Sequence, residues 1–358
     1  MRIAIDYRLA ANSNRGMGRY CREIVGRLMR LDADNQYILY TNSIEDVSQV
    51  LPPNFKVCPI GRCNYISGEQ WGISRRLLRD RPDLFWAPYN TFPLIIPRKT
   101  GLIVTIHDLI FLKKSGKPRN MVQYIGKLYR KWTIRFGSRR IDRCVSVSRY
   151  SADEIKRVLN IPEVTVTYNC ADAFRGKLKA GASESMIGEK QYFFTLSGDA
   201  PSKNLSFVID LFKNDLLTET LEKILITEDK QAQKRRRKSR YCRYMSDNPI
   251  FNSQCKAFLF LSLYEGFGIP VLEALMCGAR VIASNRTSIP EVVGDCGVLV
   301  DPTDRGQCLE AICNIASFSP DPQAIERQVG PFSDWDRPAK VLLNLFQNTY
   351  CEKHLGHV

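Results

Sequence analysis

The sequence predicts an α/β protein with two parallel sheets, and three observations carry that reading. Short apolar, β-rich runs alternate with longer stretches of helical period, which is the rhythm of βα units. That rhythm stops in a polar middle segment and then restarts. The chain has 358 residues, 44% hydrophobic and 25% charged, enough apolar material for more than one sizeable core.

Taken in order, RIAI from Arg2, YILYT from Tyr37, LFWA from Leu84, LIVTI from Leu102 and CVSV from Cys144 read as strands of a first sheet. Between the last two, residues 113–143 hold eleven basic residues and one acid, Asp142. Val122, Ile125, Tyr129, Trp132 and Phe136 recur there at helical spacing, with Lys127, Lys131 and Arg135 on another face. A basic amphipathic helix follows. It either packs its apolar side on the sheet or lies against anionic lipid headgroups. The stretch from Ile161-Pro162 to Lys190 includes GKLKAGASESMIGEK, small and polar, and reads as an exposed connection between domains. VTVTY from Val164, YFFTL from Tyr192, KILIT from Lys223, AFLFLS from Ala257 and RVIAS from Arg280 then supply a second sheet. KRRRKSR from Lys234 reads as a solvated loop.

Composition narrows the function. No run of about 18 apolar residues occurs, and MRIAIDYRLA reads as a buried strand with no charged-then-apolar leader, which argues for a cytoplasmic protein. The twelve cysteines are scattered without CxxC, and two of the three histidines fall in the last five residues, so reduced thiols are expected and a zinc site is not. Against 37 acidic residues stand 52 basic ones, a net charge of +15, so an acidic partner is expected: nucleic acid, anionic lipid or phosphorylated small molecules.

Residues 261–294, LSLYEGFGIPVLEALMCGARVIASNRTSIPEVVG, carry the most chemistry. An apolar strand runs through Glu265-Gly266-Phe267-Gly268 into a helix entered at Pro270, a residue suited to a first helical turn. Glycines beside a helix N-terminus let backbone N–H groups approach an anion. Glu273, placed in the first turn, could take two vicinal hydroxyls of a ribose, and Glu265 sits at the strand end. The same pattern is also that of a helix-start acid and a turn residue.

Glu265 and Glu273 within YEGFGIPVLEAL, followed by CGARVIAS and SIPEVVG, resemble the donor-site signature of retaining glycosyltransferase family 4 and of its mannosyltransferases in particular. GDAPSKN (Gly198–Asn204) is similar to the family's loop before the first helix of the donor domain, and RGMGRY from Arg15 to its N-terminal glycine loop. VTIHDL around His107 resembles its acceptor-side histidine motif, and SVSRYSADEI and FSDWDRPAK are similar to further family segments. The resemblance implies the GT-B fold: two Rossmann-like domains facing across a cleft, here 1–165 for the acceptor and 166–335 for the nucleotide-sugar, with a C-terminal helix, 336–358, returning to the first domain.

It also implies roles. Lys203 would neutralise charge on the leaving diphosphate, assisted by Asn204 and by the amides of Gly268 and Ile269 near Pro270 at the helix start. Glu273 would hold the ribose. Glu265, Gly266, Phe267 and Gly268 would touch the donor sugar, His107 would reach the reacting face, and Gly16 and Gly18 would let the first loop approach the diphosphate. The family retains anomeric configuration and needs no metal and no cofactor beyond a GDP- or UDP-linked sugar. Ser202 stands where many relatives carry arginine, which leaves neutralisation to Lys203 with Arg286 or another basic residue. Leu261 replaces a common proline, and residues 227–251 are compressed around the basic run. Asp32-Ala33-Asp34 imitates a DxD metal motif but stands between a helix and YILYT, and reads as a turn.

The resulting expectation is a retaining hexosyltransferase moving mannose from GDP-mannose, or a sugar from a UDP carrier, to a glycan or lipid-linked glycan in surface-polysaccharide biosynthesis. It would be cytoplasmic, and peripheral on an anionic membrane surface. An NAD-dependent sugar-nucleotide oxidoreductase or epimerase would need GxGxxG after the first strand, where YRLAANSN stands. A nucleic-acid-binding protein would explain the charge, but no recognition module is present and no nucleic acid partner is expected.

Overall fold

A computed structural model describes residues 1–12, 16–47, 50–61, 63–113, 121–171, 192–196, 200–213, 223–227, 255–319 and 321–356. The basic run from Lys234 and residues Gly198 and Asp199 of the GDAPSKN loop lie outside the described residues. The chain divides into two compact units, Met1–Asn169 with Trp335–Val358, and Cys170–Asp334.

The first unit runs β1 (Arg2–Asp6), α1 (Arg8–Asn12), α2 (Gly16–Leu31), β2 (Gln36–Thr41) and β3 (Phe55–Pro59). A short helix α3 (Tyr65–Ser67) then passes through a π-helical turn, Gly68–Ile73, into α4 (Ser74–Asp80). β4 (Leu84–Ala87), β5 (Gly101–Thr105), α5 (Met121–Gly137), β6 (Arg143–Ser146), α6 (Arg149–Leu159) and β7 (Val164–Val166) complete it. The strands pair in the order β3-β2-β1-β4-β5-β6-β7, all parallel. Central strands such as β5 are buried at every residue, which explains their unbroken apolar runs. Strand residues Ala4, Ile38, Phe85, Leu102 and Val104 build a core with Ile155 of α6.

VTVTY was expected in the second sheet, yet Val164–Val166 pairs with β6 through Cys144↔Val164 and Val145↔Thr165. A domain boundary at 165/166 would cut this strand. The reason is local: Asn160 takes a left-handed conformation (φ 53°) that ends α6 and turns the chain straight back to the first sheet.

The second unit contains β8 (Tyr192–Leu196), α7 (Leu205–Leu211), β9 (Lys223–Thr227), β10 (Ala257–Phe260), α8 (Ile269–Met276), β11 (Val281–Ser284), α9 (Ile289–Val293), β12 (Val298–Val300), α10 (Arg305–Asn314) and α11 (Pro322–Val329). Its sheet, among the described residues, is ordered β12-β11-β10-β8-β9 and is parallel throughout. Order reverses between β8 and β10, and in open α/β sheets ligands bind beyond the carboxyl ends of the strands at such a point.

The last helix, α12 (Asp336–His354), belongs to the first unit. Trp335 packs edge-on to Tyr20 at 6.0 Å, Phe346 packs on Trp86 at 6.1 Å, and Lys353 reaches both Asp142 oxygens at 2.7 and 2.8 Å.

Candidate functional site

In the second unit the two strands flanking the reversal deliver the central pair. After β8 the chain tightens at Pro201–Lys203, and after β10 it runs through Glu265-Gly266-Phe267-Gly268. Lys203 Nζ donates to Glu265 Oε1 at 2.7 Å and lies 5.3 Å from the centre of the Phe260 ring. Both side chains are partly shielded from water, 32% and 14% exposed.

The helix start is built for close approach. Gly268 has φ +104°, and a Cβ there would sit 2.6 Å from Ile289 Cδ1, so only glycine fits without strain. Val271 and Leu272 N–H groups close on the Gly268 carbonyl, leaving the amide of Ile269 ahead of the intrahelical ladder, where partial positive charge gathers. α8 begins at Ile269, one residue before Pro270, so Glu273 is in its second turn and not in the first as expected.

The loop is pinned from behind by residues the sequence reading passed over. The Ser288 hydroxyl, fully buried, donates between the carbonyls of Glu265 and Phe267 at 3.1 and 3.0 Å. Glu265 N–H donates to Thr287 Oγ1 at 3.1 Å. Thr287 itself holds φ +58°, a costly conformation for a β-branched residue. The Phe267 ring is buried and packs edge-on against Phe332 at 5.5 Å.

Two expected participants are engaged elsewhere. Asn204 adopts φ 54° and its side-chain amide donates to the Pro302 carbonyl at 2.8 Å. Arg286, named as a substitute for the absent arginine, donates to both oxygens of Asp301 at 2.9 and 3.2 Å. Ser202 is buried and its carbonyl accepts the Leu263 N–H at 2.7 Å, a junction between the two strand-end loops.

In the first unit Gly16 and Gly18 are not in a loop: they open α2, whose apolar face (Tyr20, Ile24, Val25, Leu28) carries the helical period back to Gly16. Two residues after Gly18, the Tyr20 ring meets His107 edge-on at 5.1 Å. His107 follows β5 and is buried; its N–H donates to Asn90 Oδ1 and its Nε2 donates to the Pro88 carbonyl at 2.8 Å. Burial holds the imidazole down to about 4, so it is neutral at physiological pH with Nδ1 as its acceptor side. Asp32 makes a turn: its carboxylate accepts from the amides of Asp34 and Asn35 and from the Tyr37 hydroxyl. Those bonds hold it below its ordinary range although burial pushes the other way.

A buried network at the end of β1 had no sequence signal. Arg8 grips Asp6 with Nε and Nη2 at 2.8 and 2.7 Å and reaches Glu69 at 3.4 Å. Glu69, on the π turn and fully buried, also accepts from Thr91 at 2.7 Å and from the Tyr129 hydroxyl of α5. Burial pushes its carboxyl up to about 7 against these donors. Helix α5 buries Tyr129, Thr133, Ile134 and Gly137. Of the two placements open for its apolar stripe, packing on the sheet holds only for Tyr129: Val122, Ile125, Trp132 and Phe136 are 79%, 48%, 49% and 63% exposed.

Comparison with known proteins matches the two halves separately. The model described as glycosyltransferase family 4 covers residues 14–175, and that described as glycosyl transferases group 1 covers 184–328. O-antigen chain mannosyltransferase B of Escherichia coli is 28% identical over 63% of this chain and 64% of its own length. O-antigen chain mannosyltransferase RfbU of Salmonella typhimurium is 24% identical over 67% and 65%. The match thus spans less than two thirds of either relative. Among solved structures, sucrose-phosphate synthase from Thermosynechococcus elongatus superposes with a TM-score of 0.69 at 14% identity, covering 98% of this chain and 99% of that one. WaaG, a glycosyltransferase of lipopolysaccharide biosynthesis, gives 0.64 at 13% identity over 99% and 98%. HepE from Anabaena, solved with UDP and glucose, gives 0.65 at 12% over 97% and 99%. These likenesses are of fold, and the fold is GT-B.

Proposed function

Because the chain belongs to the glycosyltransferase family that these two models describe, we propose that it transfers a hexose, with retention, from a nucleoside-diphosphate sugar to a glycan or lipid-linked glycan of a surface polysaccharide. The observation that carries this reading is the Lys203–Glu265 pair beside the left-handed Gly268 helix start, where β8 and β10 part. Breaking the anomeric bond leaves negative charge on the departing diphosphate. Lys203 and the Ile269 amide are the donors aimed at that charge, and a preorganised donor acts most strongly where charge develops. Glu265, released from Lys203 as the diphosphate takes its place, would accept from sugar hydroxyls beside the Gly266–Gly268 backbone. Glu273 would accept from the ribose. The family resemblance would also bring Gly16 and Gly18 to the diphosphate and neutral His107 to the reacting sugar.

Mannose is the preferred sugar, since the curated relatives carry that activity in their names, and GDP-mannose the preferred donor, with UDP-sugars next. The reaction as proposed uses no metal. The NAD-dependent reading finds no support at β1, where the Arg8–Asp6 pair fills the turn that a pyrophosphate-binding motif keeps for glycine.

No helix of the described residues is long and apolar enough to cross a membrane. Docking on a cytoplasmic membrane face would fall to α5, whose exposed Val122, Ile125, Trp132 and Phe136 stand among Lys127, Arg130, Lys131 and Arg135.

A thermal-shift panel of GDP, UDP, ADP, their sugars and NAD tests the reading. A ligand at 100 times its dissociation constant stabilises by about 2.7 kcal/mol, so the correct nucleotide stands out. A shift with NAD alone would refute the assignment, and transfer lost in EDTA would remove its metal-free form.

A further inference from the structure

Beside edge strand β3 the first unit holds a pocket of about 460 Å³, within the usual range for a substrate-sized ligand. One wall is the Pro59-Ile60 exit of β3; the other is the helical run through Trp71, Arg75, Arg76 and Arg79. The pocket lies at the carboxyl end of β3, an edge strand of the sheet. None of the lining residues is acidic.

The wall is constructed closely. A Cβ at Gly72 would stand 2.9 Å from Ile60 Cδ1, so glycine lets the π turn press against the β3 exit. Arg76 donates to the Pro59 carbonyl, which fixes one guanidinium across the gap between the walls. Arg75 and Arg79 are exposed, and among the described residues neither has a carboxylate partner. Asp80, the nearest acid along the helix, is not in the lining and accepts from the Tyr40 hydroxyl at 3.2 Å and the Cys58 thiol at 3.8 Å. Arg75 and Arg79 lie one helical turn apart, where like charges oppose each other. Trp71, 74% exposed, stands at the mouth.

Three guanidiniums on a pocket with no acid in its lining suit one chemistry in particular. Arginine presents paired N–H donors that match phosphate oxygens, and an indole face packs on a sugar ring or an apolar chain. We propose that this pocket binds the phosphate or diphosphate group of the acceptor substrate, with Arg75, Arg76 and Arg79 on the oxyanions and Trp71 against the attached organic group. The anion site stands on the pocket itself; its assignment to an acceptor rests on the glycosyltransferase reading.

Inorganic pyrophosphate is the probe, titrated calorimetrically into wild type, Arg75→Gln/Arg79→Gln, Lys203→Ala and the combined variant. Lys203→Ala removes the donor-site contribution, so pyrophosphate binding that persists in it and weakens at least about tenfold in the combined variant supports the pocket. Arg75→Lys/Arg79→Lys keeps the charge without the fork and should fall between. Both positions are exposed, and an unchanged circular dichroism spectrum with equal nucleotide affinity confirms that the fold is intact. Binding abolished by Lys203→Ala alone, or an affinity within twofold after Arg75→Gln/Arg79→Gln, overturns the proposal. Co-sedimentation with phosphatidylglycerol–phosphatidylcholine vesicles separates the other source of phosphate. The Gln variant should bind vesicles as wild type does, whereas lost vesicle binding with unchanged pyrophosphate affinity would make these arginines a bilayer contact and sink the pocket. Nucleotide thermal shifts report on the glycosyltransferase reading separately, so either can fail alone.

Discussion

Lys203→Ala separates catalysis from folding at the pair on which the function rests. In the structure the lysine and Glu265 cancel as +1 and −1 at 2.7 Å, with the lysine also over Phe260. Removing a charge-assisted bond at a half-shielded site costs about 1–2 kcal/mol of stability, a melting shift of a few degrees. The effect on turnover is larger, because the lysine is asked to meet charge that appears as the anomeric bond breaks: a loss of about 10²–10³, or roughly 3–4 kcal/mol. The variant also leaves Glu265 uncompensated, so an incoming nucleoside diphosphate meets a carboxylate where it met a neutral pair. Lys203→Ala/Glu265→Gln should therefore bind the diphosphate without sugar more tightly than Lys203→Ala, while turnover stays low. Calorimetric affinity for GDP and UDP, with single-turnover transfer rates, reads both quantities. Near-normal turnover in Lys203→Ala would refute the role, and no recovery of affinity in the double variant would refute the electrostatic account of the pair.

Glu69 gives a pH test. Its carboxyl stands at about 7 in the fold against an ordinary 4.5, so the native state holds the proton more tightly, and stability falls as pH rises from about 4.5 to 7 by roughly 3 kcal/mol. His107, held down to about 4 from 6.5, works in the opposite sense: its contribution is present above 6.5 and is lost as pH falls toward 4. The measure is thus wild type against Glu69→Gln in urea unfolding at pH 5 and pH 8, where His107 cancels; parallel stabilities at the two pH values would contradict the buried-carboxyl account. For α5, changing Lys127, Arg130, Lys131 and Arg135 to Gln should release the protein from anionic vesicles, at about 1 kcal/mol per charge near the leaflet, while Trp132→Ala should weaken binding at high salt as well. Equal sedimentation of all three proteins would remove α5 as the docking surface.

The two units differed in how much could be read from sequence, for a physical reason. In the second, the site is assembled from two strand-end loops, and its glycines, helix start and acids fall within one window, 265–273. Even there, what holds the loop lay outside the motif's obvious chemistry. Ser288 and Thr287 act through carbonyl and amide bonds, and nothing in a threonine announces φ +58°. β3, only partly buried, interrupted by Lys56 and ending in Pro59, and the three-residue β12 were missed because neither presents an unbroken apolar run. In the first unit, Arg8, Glu69, Thr91 and Tyr129 meet only after four crossovers of the sheet bring them to one end, so no window contains the network.

Helix α5 shows the limit most clearly. Periodicity establishes that Val122, Ile125, Tyr129, Trp132 and Phe136 share a stripe, but it does not say which stripe the fold covers. That choice depends on what approaches the helix. A Cβ at Gly137 would meet the Phe92 ring at 2.6 and 2.7 Å and Leu94 at 2.9 Å, so the fold brings Phe92 and Leu94 against the face with the smallest side chains, Thr133 and Gly137. Tyr129 then hydrogen-bonds Glu69 and receives a bond from Gln70 at 2.7 Å, which fixes the helix rotation by polar contacts. Once that rotation is set, the large apolar residues face outward among lysines and arginines. Among the described residues the bulky side chains Val122, Ile125, Trp132 and Phe136 stay exposed beside cations, and that is the area the proposed docking on an anionic surface would use.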